Sequence, residues 1–129
     1  MNRRQAREMA LQVLFQMTLS STDRETAIDA VNENGLPVDP YVSRLLDEIG
    51  LHEKEIDQLI KEHLVNWSFD RIGNIDKTIL RLAVCEMMYF EDVPTTVSIN
   101  EAIELCRKYS DEVTRKFVNG VLSSISKEI

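Results

Sequence analysis

The chain is poor in the residues that staple, break or coordinate a fold: two cysteines, three prolines, four glycines and two histidines among 129 residues. Cys85 and Cys106 lack metal-ligand spacing and sit among apolar neighbours, so they read as buried thiols of a reducing compartment rather than a disulfide. With so few glycines and prolines the chain can hold long regular elements. No apolar run approaches the ~20 residues of a membrane helix, Leu82-Ala83-Val84-Cys85 being among the longest. Arg3, Arg4 and Arg7 open the chain, but Gln5, Glu8 and Gln12 interrupt any apolar core of a signal peptide. The expected compartment is therefore the cytoplasm, with no membrane partner. Positive charge is also scarce. Fifteen Lys and Arg against 22 Asp and Glu leave a net charge of -7, which excludes a general nucleic-acid coat, because backbone binding needs neutralising cations. Any RNA contact must be confined to one surface and shared with a more basic partner.

Chemistry-bearing constellations are missing too. His52 and His63 are not spaced as a ligand pair. There is no Gly-rich phosphate loop, no serine in a strand-to-helix elbow and no Cys–His pair. Neither catalysis, nor a metal, nor another cofactor is expected.

What remains is helical periodicity, with no period-2 strand. It predicts an all-α protein of about seven helices in two small bundles, an N-terminal subdomain of about residues 1–36 and a C-terminal one of about 37–129. The first helix spans about Arg3 to Leu19. Thr22 and Glu25 fit a capping box for the second, which Asn34-Gly35 ends. Asp39-Pro40 starts a third, Gly50 ends it, and a fourth carries Leu51, Ile56, Leu59 and Ile60 towards Trp67. The fifth, about Ile75 to Phe90, is apolar around most of its circumference and should be the buried centre. Pro94 stops it; the sixth begins between Thr95 and Ser98, where Ser98 and Glu101 offer another capping box. Ser110-Asp111 caps the last, with Val113, Phe117, Val121 and Ile125 facing inward.

Three features stand out from this pattern. Glu86 falls inside the apolar arc of the central helix and requires a hydrogen-bonding or basic partner. Arg3, Arg4 and Arg7 share an arc about 100° wide, with Leu11 and Phe15 further along the line of Arg4. An exposed flank of this kind offers guanidiniums to phosphates and a ring to an unpaired base, although Phe15 fits a core position equally well. Asn119-Gly120 breaks the composition of the last helix without breaking its period. A helix-interior Gly costs ~1 kcal/mol against Ala, which points to close approach by a neighbouring helix or a ligand. Arg115-Lys116-Phe117 beside it adds two cations and a ring.

Arg3-Arg4-Gln5-Ala6-Arg7-Glu8 with Ala10-Leu11-Gln12-Val13-Leu14-Phe15 resembles the opening helix of the NusB family. Ile79-Leu80-Arg81-Leu82-Ala83 with Glu86 is similar to its central helix. Pro94 with Val97-Ser98-Ile99-Asn100-Glu101-Ala102-Ile103-Glu104-Leu105, and Lys116-Phe117-Val118-Asn119-Gly120-Val121-Leu122, match two further motifs in order. The resemblance implies a transcription antitermination factor that binds boxA-type single-stranded RNA of ribosomal RNA leaders. It would do so with the small-subunit ribosomal protein NusE, within the RNA polymerase antitermination complex. By position, Arg3, Arg4 and Arg7 would meet phosphates, Phe15 would stack on a base, and Lys116 and Phe117 would lie near the same surface. Asp76 would face NusE; Glu86, Asn119 and Gly120 would be structural. Gln5 departs from members with a third consecutive Arg there, which implies greater dependence on the partner. A homodimer is also compatible with the family. Two rivals stand beside this reading: the RNA-binding module of rRNA cytosine methyltransferases, expected to precede a catalytic domain where this chain ends at Ile129, and a helical protein–protein adaptor.

Overall fold

The computed structural model describes residues 1–129, and every regular element is a helix: α1 (Arg3–Ser20), α2 (Arg24–Val31), α3 (Pro40–Glu62), α4 (Asn74–Tyr89), α5 (Thr95–Tyr109) and α6 (Glu112–Glu128), with a 3-10 turn at Phe69–Arg71 before α4. The apolar circumference of α4 has the expected consequence. It packs against α1, α3, α5 and α6, and Ile79, Leu80, Val84 and Cys85 are wholly buried. Burying each such aliphatic side chain contributes roughly 1.5–3 kcal/mol. One cluster of 29 buried residues runs from Ala6 through Ala27 to Ile125, so the α1–α2 pair and the α3–α6 layer share a single interior.

The helix count is six rather than about seven, because α3 continues through Gly50. Gly50 lies on the solvent side, a Cβ there would meet nothing within 4 Å, and its φ is not positive; nothing local requires a turn. The backbone bends instead at His52 (φ -117, ψ 16), whose ring stacks on Tyr89 with centroids 3.8 Å apart. Leu51, expected in a separate fourth helix, lies within α3 and is 72% exposed.

Cap chemistry accounts for the other displaced boundaries. Asp39 caps α3 with Pro40 in its first turn, and Asp111 caps α6, as expected. For α2 the cap is Asp23, which accepts the Thr26 N–H at 2.8 Å, and the expected Thr22–Glu25 box does not form. α5 begins at Thr95 directly after Pro94, so Ser98 and Glu101 lie inside the helix with their side chains turned to α4 and α1. Val113 is exposed, not internal: it lies roughly 130° around α6 from the mean direction of Val118, Val121, Leu122 and Ile125, which form the buried face. Both cysteines are free and buried, and burial pushes each thiol up to about 12.

Since Gly50 is helical, exposed and uncrowded, Gly50→Ala should raise stability by up to about 1 kcal/mol. A thermal melt checks this; a lowered midpoint would show that residue 50 needs a conformation only glycine adopts.

Candidate nucleic-acid interface

The basic tip of α1 is built by its cap. Asn2 accepts the Gln5 N–H at 2.8 Å while Gln5 Oε1 accepts the Asn2 N–H at 2.9 Å, a reciprocal box that satisfies two orphan donors. Gln5, conspicuous as a gap in the arginine run, therefore closes the helix start on which Arg3 and Arg4 stand.

The three arginines then diverge. Arg7 Nε donates to Glu86 Oε2 at 2.7 Å, the Tyr41 hydroxyl donates to the same oxygen, and Ser98 Oγ donates to Oε1 at 3.0 Å. Arg7 and Glu86 are 6% and 2% exposed. Burial alone would lower the Arg7 pKa, but the hydrogen bond and charge of Glu86 outweigh it and leave it raised. Burial and the Glu86 hydrogen bond together push the Tyr41 hydroxyl far above its ordinary range. Glu86 has the basic partner its position demanded. The same fact corrects the expectation for Arg7: its guanidinium is an internal counter-ion and does not face phosphate. Leu11, placed by the helical wheel beside the basic flank, is also wholly buried.

Arg3 and Arg4 stay outside. Arg3 lies over the Tyr41 ring at 4.7 Å and donates to Asp92 at 2.8 Å. Asp92 also takes two hydrogen bonds from Arg44, at 2.9 and 3.2 Å. Arg44 first, and Arg3 second, hold the Asp92 carboxyl far below the usual carboxylate range. Arg4 is 66% exposed and meets Glu101 at 3.0 Å. Between α1 and α5 runs a groove of about 370 Å³ lined by Arg4, Glu8, Glu101, Glu104, Arg107 and Lys108 among others. Lys108 pairs with Glu8 at 2.5 Å and Arg107 with Glu104 at 3.6 Å. Such exposed pairs are worth only about 0–1 kcal/mol, so a phosphate can take the place of the carboxylate. Arg44, Arg107 and Lys108 were not singled out from the sequence; the signal available was the Arg107-Lys108 dipeptide at the end of a helix.

Phe15 is half-buried and edges a cavity of about 520 Å³ with Leu11, Val31, Ile75 and Tyr109. Gln12 donates to the Tyr109 hydroxyl, and Tyr109 in turn to Glu8, so a chain of hydrogen bonds links the wall of this cavity to that of the α1–α5 groove. Asp76 follows Ile75 directly and accepts the Ser110 hydroxyl at 2.9 Å. Burial raises its carboxyl pKa, more than Ser110 lowers it.

Lys116 and Phe117 have partners of their own. Lys116 is exposed with Glu112 at 3.8 Å, and Phe117 packs on Trp67 with ring centroids 4.8 Å apart. No ion pair, hydrogen bond or ring contact links either residue to Arg3 or Arg4. The expected six residues thus do not form one contact network: Arg3 and Arg4 are held by Asp92 and Glu101, Lys116 and Phe117 by Glu112 and Trp67. Asn119 and Gly120 are both exposed, and a Cβ on Gly120 would meet nothing within 4 Å. Tight helix packing within the chain is therefore not what Gly120 serves, and neither residue has the buried structural role expected of it.

Fold and site together define a class: a small all-α factor with a buried Arg–Glu pair at its centre and exposed, exchangeable cations at one helix tip. The chain belongs to the NusB family, whose model matches residues 4–127. It is 48% identical to the transcription antitermination protein NusB of Bacillus subtilis, over 100% of this chain and 98% of that protein. It is 44% identical to that of Listeria monocytogenes, over 99% and 98%. Among solved structures it superposes on a chain of antitermination factors NusB and NusE in complex with dsRNA, with a TM-score of 0.87, 33% identity and 98% and 97% of the two chains covered. T. maritima NusB gives a TM-score of 0.86 at 33% identity, covering 99% and 92%.

Arg7→Ala leaves the Glu86 carboxylate buried without its cation, a change that costs about 3–5 kcal/mol. Chemical denaturation should show a loss of that size, and a loss below about 1 kcal/mol, the range of exposed pairs, would place the pair at the surface. For Asp76, the raised pKa means that ionisation opposes folding above its folded-state pKa, and the penalty vanishes below the ordinary Asp value of about 3.9. Asp76→Asn should therefore raise the melting temperature at neutral pH, with the gain fading towards pH ~4; a pH-independent difference would contradict this.

Proposed function

We propose that this chain is a non-catalytic, cytoplasmic RNA-binding antitermination factor. It holds boxA-type RNA jointly with a NusE ribosomal protein and thereby makes RNA polymerase resistant to termination. The observation that carries the reading is the superposition of nearly the whole chain on a protein solved with NusE and RNA. The electrostatics agree with it. An excess of seven negative charges disfavours RNA except where cations are gathered, and the exposed cations of the α1–α5 groove are held by weak, displaceable pairs. A basic companion supplies the remaining neutralisation, and each phosphate contact it adds lowers the cost of bringing the acidic surface close.

In this reading Arg3 and Arg4 meet phosphates after exchanging Asp92 and Glu101, with Arg107 and Lys108 extending the track. Phe15 offers its exposed edge to a base, and Lys116 with Phe117 forms the second contact. Arg7 acts indirectly, by holding α1 against α4. Asp76, at the start of α4, faces the basic partner. The α1–α2 pair (about 1–36) and the α3–α6 layer (about 37–129) act as two subdomains over one core. The solved complex contains double-stranded RNA, so strand preference is part of the test.

The experiment is a titration of labelled single-stranded boxA RNA, with and without NusE, against a duplex of the same sequence. The partner should tighten binding, the single strand should compete better than the duplex, and Arg4→Ala should flatten the salt dependence by about one phosphate contact. Asp76→Lys should remove part of the gain from NusE. Full affinity in Arg4→Ala at every salt concentration would favour the adaptor reading.

A further inference from the structure

A cavity of about 400 Å³ opens between the second half of α1, the start of α2, α3 and α4. Its size falls in the range of about 300–1,000 Å³ usual for small-molecule sites. Leu14, Met17 and Thr18 form one wall, on a stripe of α1 roughly 110° around the helix from Phe15. Leu46 and Ile49 of α3 complete the apolar lining, each with only 4% of its surface exposed. No lining residue belongs to the RNA or partner contacts proposed above.

Two hydrogen-bond donors in this lining are unused. Thr22 has no cap to make, because Asp23 takes that position for α2. Its N–H goes to the Met17 carbonyl at 3.3 Å. Its Oγ1 is the one buried side-chain polar atom of the chain without a hydrogen-bond partner, and an unpaired buried hydroxyl is a net cost to folding. Arg81, which also lines the cavity, gives Nε and Nη2 to Asp57 at 2.7 and 2.9 Å, leaving Nη1 free. Charge, in contrast, is already committed. Arg24 is held by Asp47 at 2.5 Å, and Glu53 comes within 3.7 Å of Arg81. Two cations thus stand among three carboxylates, Asp47, Glu53 and Asp57. An anion would meet net repulsion there, and a cation would find each carboxylate facing an arginine. A neutral molecule with one accepting oxygen satisfies the spare donors and covers the apolar wall.

We propose that this cavity is a binding site for a small neutral ligand, a compact apolar body whose carbonyl-type oxygen accepts from Thr22 Oγ1 and Arg81 Nη1. The hydroxyl left unpaired in the free protein then serves recognition at the expense of stability. The site goes beyond the RNA-binding reading and does not depend on it.

Three probes of one ring size separate the contributions: acetophenone, with a carbonyl; ethylbenzene, without an acceptor; and benzoate, with a charge. Each is titrated into the full-length protein carrying carbon-13 methionine methyls and nitrogen-15 amides, following the Met17 methyl and the Thr22 amide by NMR. Acetophenone should shift both signals. Ethylbenzene should bind roughly 2- to 12-fold more weakly, the worth of one neutral hydrogen bond, and benzoate more weakly than either. Thr22→Val keeps the shape and removes the donor. It should bring acetophenone down to the affinity of ethylbenzene while raising the melting temperature of the free protein. Benzoate or ethylbenzene binding as tightly as acetophenone would overturn the proposal, as would an absence of shifts at Met17 and Thr22 with acetophenone near its solubility limit. A lowered melting temperature in Thr22→Val would show that the hydroxyl is already satisfied, and would overturn it too.

Discussion

The Glu86 carboxylate is the point on which the arrangement depends. It sits on the central helix and is met by Arg7 from α1, Tyr41 from α3 and Ser98 from α5, so four helices converge on two oxygen atoms. A buried carboxylate without partners would be several kcal/mol too costly to keep, and only one mutual placement of those helices supplies all three donors. Apolar packing would hold the same helices together over a range of sliding and rotation; hydrogen bonds of fixed length do not. The pair therefore confers register more than stability, since an apolar substitute of like volume often does as well energetically.

Register matters here because the RNA-binding surface proposed above begins one turn away. With Arg7 drawn inward, Arg3 and Arg4 on the preceding turn are carried to the rim, over Tyr41 and beside Glu101. Glu101 is shared between the two regimes: Arg4 reaches it from the surface at 3.0 Å and Arg7 from the interior at 3.9 Å. Were a phosphate to displace Glu101 from Arg4, as the proposed function requires, the carboxylate would still have Arg7 within reach. The exchange at the surface thus leaves no charge abandoned near the core, which lowers the electrostatic cost of binding an anion to an acidic protein.

The exposed cations of α1 and the α1–α5 groove are matched by carboxylates of the same chain: Arg3 with Asp92, Arg4 with Glu101, Arg107 with Glu104, Lys108 with Glu8. Self-neutralisation of this kind suppresses indiscriminate attraction to polyanions, because each phosphate must win a cation from an incumbent. In the proposed function, specificity then falls to groups that charge does not control, namely the rings of Phe15 and Phe117. A basic companion shifts the balance without any change in this chain.

Much of this was determined by the sequence alone, because the forces involved are local or periodic. The helical class, the central position of residues 75–90, the caps at Asp39 and Asp111, the thiol state of Cys85 and Cys106, and the need of Glu86 for a partner all follow from spacing and from the cost of burying charge. The four family motifs, spread along the whole chain, brought the family within reach as well. Boundaries governed by small energy differences were less legible: Gly50 reads as a stop, but a solvent-facing glycine costs a long helix too little to end it. What only the tertiary structure decided was which of three adjacent arginines belongs inside. On a helical wheel they share one arc, and nothing within α1 distinguishes them. The distinction comes from a carboxylate 79 residues away, and a pattern of period 3.6 carries no information about contacts at that separation. For the same reason Trp67 reads as the tail of a helix until α6 is laid beside it and Phe117 meets its ring.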